Sequence, residues 1–397
     1  MTAMLASVIN EAEAGTALAS AVDMIDLKDP ARGALGALPA RLVAAIVATV
    51  AGRKKTSAAA GDRFAAPADA LEAACALAAT GVDFVKIGLA AGGAAIVDAL
   101  GAYKENAGLI GVLFADQNPD LDLLNIMAER GFKGAMLDTF EKGAGRLLDH
   151  MDVAALAVFV DRCRELGLIC GLAGSLEAPD VPRLLPLRPD YLGFRGSLCK
   201  GGDRGGALDL AAVAMIRDLI PHVAENGSGA GAADVDWRLL GRGYVPVNEV
   251  TETDLIFVHD LIMPCFIGAY EYERARKQDV RFNIDVDVAR ARLHSDDMRD
   301  IFSYDLIVDA IKIITGRGHI ELVETLVREI AESVLVHPSV ISVRVRAEKL
   351  DVIRGSVGVE IKRERAKEAA AFEGLFGTPV VDTAAAKLKK TRSPRSH

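Results

Sequence analysis

The sequence predicts an α/β chain in two unlike parts, an N-terminal (β/α)8 barrel of the TIM type and a C-terminal α+β domain with an antiparallel sheet and two helices. Three observations predict it. Over residues 1–223, eight short apolar runs alternate with Ala/Leu-rich helical stretches. Residues 224–250 break that rhythm with a Gly/Ser/Ala-rich stretch, read as a flexible linker. Residues 251–367 carry strands that alternate polar and apolar positions, with two helical segments between them.

In order along the barrel, the strand-like runs are MLASVI near residue 4, VDMIDLK near 24, KTSAAAG near 57 and VDFVKIGL near 85. They continue with LIGVLFAD near 112, GAMLDT near 136, LICGLAG near 170 and YLGFRG near 193. PADALEAACALAATG and VAALAVFVDRCRELG have helical periodicity and end in glycine, a common helix stop. An open doubly wound sheet is the alternative, but no GxGxxG follows the first strand. GSGAG in the linker has no strand before it, so it is not read as a phosphate loop. In the second part the strands are TDLIFVHDLIMPCFIG, VRFNIDVDVARA, VISVRVRAEKL and GSVGVEIKRER. The helices are SYDLIVDAIKIITGRG and LVETLVREIAESVLVH. Residues 368–397, ending KLKKTRSPRSH, read as a frayed basic tail.

The chain of 397 residues suits two domains, and 51% hydrophobic residues allow a sizeable core in each. A formal net charge of -9 argues against a nucleic-acid partner. No apolar run reaches the roughly 18 residues that span a membrane. MTAMLASVINEAEAG lacks the basic start of a secretory signal, so the cytoplasm is the expected location. The cysteines Cys75, Cys163, Cys170, Cys199 and Cys265 are scattered and odd in number, which favours free thiols over a metal site. No cofactor is called for.

Lys28, Lys86 and Lys142 each follow or close a strand-like run, with Asp26, Asp29 and Asp138 near them. Burying a lysine charge is costly, so three such positions point to a site where strands converge. In a barrel, ligands gather at the carboxyl ends of the strands. Asp26 and Lys28 are two apart and leave the same face of an extended strand. A desolvated lysine can form an imine with a carbonyl substrate, and a carboxylate beside it can move its proton. The bland alternative is a stabilising ring of ion pairs. Spacing leaves open which lysine forms the imine, since Lys86 lies in the more apolar strand. After the last strand, GFRGSLCKGGDRGG supplies Gly196, Gly201 and Gly202 together with Arg195, Lys200 and Arg204. With Ser175 in the preceding AGSL turn, this is where barrels often bind phosphate.

MIDLKDPARGALGA, SAAAGD, VDFVKIGL, MLDTFEKG, LAGSL and FRGSLCKGGDR occur in that order. Residues 3–215 thereby resemble the (5-formylfuran-3-yl)methyl phosphate synthase family of methanofuran biosynthesis. The resemblance implies condensation of two glyceraldehyde 3-phosphate molecules, with Lys28 as the Schiff-base lysine and Lys86 as proton acceptor. Asp26, Asp138 and Lys142 match the other polar motif positions.

IGAYEYERARKQDVRFNIDV, FSYDLIVDAI, LVETLVREIA and VRVRAEKLDVIRGSVGVEI make residues 252–364 resemble dihydroneopterin aldolase. That implies cleavage of 7,8-dihydroneopterin to 6-hydroxymethyl-dihydropterin and glycolaldehyde, using neither metal nor Schiff base. The C=N bond of the substrate takes up the electrons released, so the protein need only hold the pterin and move protons. Matched to the family, Lys349 is the general acid/base and Glu324 binds the pterin edge. Tyr304 and Glu273 match family positions near the reacting side chain. The turn KLDVIRG departs from the Lys-Pro-Gly type common there. The resemblance also implies a homo-oligomer with sites between subunits. Two alternatives stand: the second domain serves only for oligomerisation, or the barrel runs a different aldolase or isomerase reaction.

Overall fold

The computed structural model describes residues 1–90, 92–220, 252–290 and 301–365. The expected linker at 224–250 and tail at 368–397 lie outside the described residues. In the first part the strands are β1 (Ala3–Val8), β2 (Met24–Leu27), β3 (Lys55–Gly61) and β4 (Phe84–Gly88). They continue with β5 (Gly108–Phe114), β6 (Gly134–Asp138), β7 (Ile169–Leu172) and β8 (Tyr191–Phe194). All are parallel, each pairs with the next, and β8 closes on β1. Between them run α1 (Glu11–Ala19), α2 (Ala40–Val50), α3 (Pro67–Ala78), α4 (Gly93–Leu100) and α5 (Leu123–Glu129). Then come α6 (Leu147–His150), α7 (Val153–Glu165), α8 (Val181–Leu184) and, after β8, α9 (Leu210–Leu219). The (β/α)8 reading is therefore correct.

Local chemistry starts the helices. The Asn10, Asp152 and Asp209 side chains accept first-turn N–H groups of α1, α7 and α9. Pro67 opens α3, where its missing N–H costs nothing. The strands are apolar throughout because both of their faces are covered. Along β5, Leu109 and Leu113 pack with the helices, while Ile110, Val112 and Phe114 point into the barrel beside Met136 and Tyr191. Each such fully buried side chain stabilises the fold by roughly 1.5–3 kcal/mol. Gly171 is needed opposite Tyr191, since a Cβ there would overlap the phenol ring.

The second part holds β9 (Thr253–Cys265), α10 (Glu271–Arg274), β10 (Gln278–Ala289), α11 (Tyr304–Gly316), α12 (Val323–Leu335), β11 (Val340–Lys349) and β12 (Val357–Glu364). The sheet is antiparallel in the order β12-β11-β10-β9. Period-two patterning places Val280, Phe282, Ile284 and Val286 of β10 and Val343, Val345 and Ala347 of β11 under α11 and α12. The opposite face stays open, with Leu255, Phe257 and Ile262 of β9 exposed.

The two parts meet through helices. Arg183 on α8 donates Nε and Nη2 to the two carboxylate oxygens of Asp309 on α11, at 2.6 and 2.9 Å. Ile313 of α11 packs against the barrel core. A Cβ on Gly316 would come 2.7 Å from Ala154 on α7, so glycine permits the close approach.

Candidate active sites

Strand parity builds the barrel site. Asp26, next to last in β2, points inward, and its register partners Ser7 in β1 and Ser57 in β3 lie at its level. Ser57 Oγ donates to Asp26 Oδ1 at 2.6 Å and Ser7 Oγ to Oδ2 at 3.0 Å. Lys86 Nζ lies 2.5 Å from Asp26 Oδ1 as an ion pair, without a well-aligned hydrogen bond. Lys86 is in the middle of β4, not at its end as the sequence reading had it, because Ile87 and Gly88 still pair with β5. It shares the inward parity of Phe84 and is only 1% exposed.

The second carboxylate is Asp138, last residue of β6. It accepts Lys142 Nζ at 2.6 Å and lies 3.5 Å from Lys28 Nζ. Lys142 also donates to Thr139 Oγ1 at 3.0 Å. The loop carrying Lys142 is held by Asp116, after β5, whose carboxylate accepts the N–H groups of Phe140 and Glu141 at 2.8 Å each. Asp29 caps the turn after Lys28 by accepting Ala31 N–H and stays outside the cluster.

Burial pushes both carboxyls upward, but the lysine charges outweigh it. Lys86 and Lys28 hold Asp26 below its ordinary pKa, and Lys142 and Lys28 do the same for Asp138. Burial lowers the Lys86 pKa more than Asp26 restores it, and it lowers Lys142 against the pull of Asp138. At Lys86 and Lys142 the neutral amine is therefore more accessible than in water.

Lys28, Asp138 and Lys142 line a cavity at the carboxyl ends of the strands, together with Gly174, Ser175, Gly196 and Arg204. Lys86 and Asp26 lie beneath it. Gly174 has φ +117°, and a Cβ there would come 3.0 Å from Thr139 Cγ2. Ser175 follows in the left-handed region at φ +51°. Arg195 touches the cavity, but its five N–H donors are occupied by Glu13 and the carbonyls of Ser7, Arg204 and Gly206. It braces the loop, and Arg204 is the guanidinium left facing the cavity. Gly201 and Gly202 form an exposed turn outside the cavity lining.

In the second domain, Lys349 ends β11 on the core side of the sheet, opposite Val280. Its Nζ donates to Glu273 Oε1, and both residues are buried. Gln278, the buried first residue of β10, donates to the same oxygen at 3.1 Å, and Tyr270 N–H donates to Oε2 at 3.1 Å. The Lys349 hydrogen bond, ahead of a smaller opposing effect of burial, brings Glu273 down to about 2. Gly268, at φ +138°, lies against this carboxylate, and a Cβ would overlap it. Tyr304 is 61% exposed at the start of α11, and Glu324 is exposed in the first turn of α12. Among the described residues, no hydrogen bond or ion pair joins either to the Lys349–Glu273 pair.

Ser7, Ser57, Asp116, Gln278 and Gly268 escaped the sequence reading. A small polar residue at an inward position, as in KTSAAAG, is the one local signal that could have drawn attention to Ser57. Among the described residues, no group of three or more His, Cys, Asp or Glu side chains forms a potential metal site. No helix among the described residues is long and apolar enough to cross a membrane.

A closed parallel barrel with amines and carboxylates gathered under its mouth, joined to a second domain with its own lysine–carboxylate pair, defines a lyase of the (β/α)8 class with an appended aldolase-type module. The chain belongs to the 4-HFC-P synthase family, which it matches over residues 4–217, and residues 256–362 match dihydroneopterin aldolase. A proposed (5-formylfuran-3-yl)methyl phosphate synthase of Methylorubrum extorquens is 50% identical over 213 residues, covering 53% of this chain and 89% of that protein. The (5-formylfuran-3-yl)methyl phosphate synthase of Methanocaldococcus jannaschii is 33% identical over 233 residues, covering 54% and 98%. A crystal structure of dihydroneopterin aldolase from Burkholderia thailendensis bound to guanine is 32% identical, with a TM-score of 0.27 and coverage of 29% of this chain and 94% of that one.

Proposed function

We propose that the barrel condenses two glyceraldehyde 3-phosphates through an imine at Lys28. The observation that carries this reading is that Lys28 lines the cavity while Lys86 is sealed beneath it on Asp26. The Lys28 amine attacks the first carbonyl, and loss of water gives the imine. Removal of a proton then yields an enamine, with the buried Lys86–Asp26 pair beneath the cavity as the acid/base couple. The enamine carbon attacks the second aldehyde. Ring closure with loss of two waters and one phosphate in all gives (5-formylfuran-3-yl)methyl phosphate. Gly174, Ser175, Gly196 and Arg204 are positioned to hold one phosphate. Borohydride reduction in the presence of the triose phosphate, followed by peptide mass spectrometry, tests this. An adduct at Lys28 and a furan chromophore without borohydride are expected; neither appearing in the wild-type protein sinks the reading.

The second domain performs retro-aldol cleavage of 7,8-dihydroneopterin, releasing glycolaldehyde. Lys349 moves the proton and Glu273 keeps it in place. We further propose that copies of the chain associate through this domain. Its open sheet face, the outer edges of β9 and β12, which pair with no strand among the described residues, and the exposed Tyr304 and Glu324 all support this. A neighbouring copy would then bring Tyr304 or Glu324 to the lysine pair.

A further inference from the structure

Two triose phosphates bring two phosphate groups to one barrel, and the notch after β7 and β8 accounts for one. In a ring of eight strands, β3 and β4 lie opposite β7 and β8. Arg63 stands on that far rim, two residues beyond the end of β3. Its guanidinium carbon lies 5.0 Å from the centroid of the Phe140 ring, so the side chain reaches past β4 and β5 to the loop after β6. The seat is firm. Phe140 N–H is held by Asp116, and its ring meets Phe114 edge-on at 5.0 Å and 80°. Along the chain Phe140 is also midway between Asp138, which pairs with Lys28, and Lys142, which pairs with Asp138.

Arg63 is exposed, and no carboxylate among the described residues pairs with it. Arg32 and Lys142 already have partners. Arg32 donates to the Ala37 carbonyl, and Lys142 is held by Asp138. A pre-positioned guanidinium with free donors at a reactive mouth is suited to a phosphate dianion.

We propose that Arg63 receives the phosphate of the second triose phosphate, the aldehyde attacked by the enamine, across the mouth from the Ser175–Arg204 notch. This rests on the barrel reaction proposed above. A purely structural Arg63 would only cover the Phe140 ring, and its charge would not matter to the coupling step.

The test uses the full-length protein with glyceraldehyde 3-phosphate and two readouts. Borohydride trapping reports capture of the first triose, and furan absorbance reports coupling to the second. For Arg63→Gln, adduct yield should stay within about twofold of wild type, while furan formation at low substrate falls about tenfold or more, because a charge-assisted contact is lost. Arg63→Lys should recover part of the rate, and Phe140→Leu should give an intermediate loss. Wild-type furan formation at low substrate by Arg63→Gln overturns the proposal. So does equal loss of adduct and furan, which would put Arg63 on the first triose or in the fold. Absence of both signals in the wild-type protein instead removes the barrel reaction and this site with it.

Discussion

At the scale of single residues, each site is built by matching a buried amine to a carboxylate whose other lone pairs are already occupied. Asp26 takes two serine hydroxyls as well as Lys86. Glu273 takes Gln278, Tyr270 N–H and Lys349. Such saturation fixes the carboxylate in one orientation and leaves the amine facing one way. It also ties stability to acid. The Glu273 pKa falls from 4.5 to about 2 on folding, so the unfolded chain takes up this proton first. The contribution of Glu273 is therefore fully present above 4.5 and is lost as pH falls toward 2. Glu273→Gln should cost the second domain roughly 1–3 kcal/mol at about pH 6, and the gap to wild type should narrow progressively on acidification. Urea denaturation of both proteins across that range checks the sign. A gap that widens in acid contradicts the assignment.

At the scale of elements, loops after the strands carry the working groups and need anchors of their own. Asp116, beyond β5, accepts two consecutive N–H groups beyond β6 and so holds the segment that delivers both Phe140 and Lys142. Asp116→Ala leaves the barrel strands untouched but frees that segment. Furan formation should fall roughly ten- to a hundredfold, as expected when a catalytic group is displaced by about 1 Å, with little change in the thermal midpoint. Steady-state rates beside a melting curve test it; an unchanged rate would show that the loop positions nothing. The turn at Gly268 works the same way in the second domain, where only a residue without Cβ can lie against the Glu273 carboxylate.

At the scale of the whole molecule, two families share one chain and one helical interface. The Arg183–Asp309 fork joins α8, which follows the Ser175 turn, to α11, which begins at Tyr304. Asp309 is buried, so removing its partner leaves a carboxylate without its strongest donor. Arg183→Ala should destabilise the docked state by roughly 1.5–3 kcal/mol. Calorimetry is expected to show a single cooperative transition splitting toward two. No change in the melting profile would mean that the domains unfold independently in the wild type.

The barrel is legible in the sequence because strands covered on both faces must be continuously apolar, and eight such runs alternate with helices. The second domain was legible for the opposite reason, since a sheet covered on one face must alternate. Two-residue spacing alone placed Asp26, in β2, and Lys28, just beyond its end, on one side. Pairings between distant strands were not legible. The more apolar strand around Lys86 does not reveal that it is held by a carboxylate from β2, or that Lys28, held by one from β6, is the lysine that opens on the cavity. Nor could composition reveal that Arg195 is consumed by Glu13 while Arg204 and Arg63 find no carboxylate partner among the described residues. Residue type and spacing determine which groups are available. Which of them meet, and which of those meet the substrate, is decided only when the ring closes and each charge finds its nearest partner.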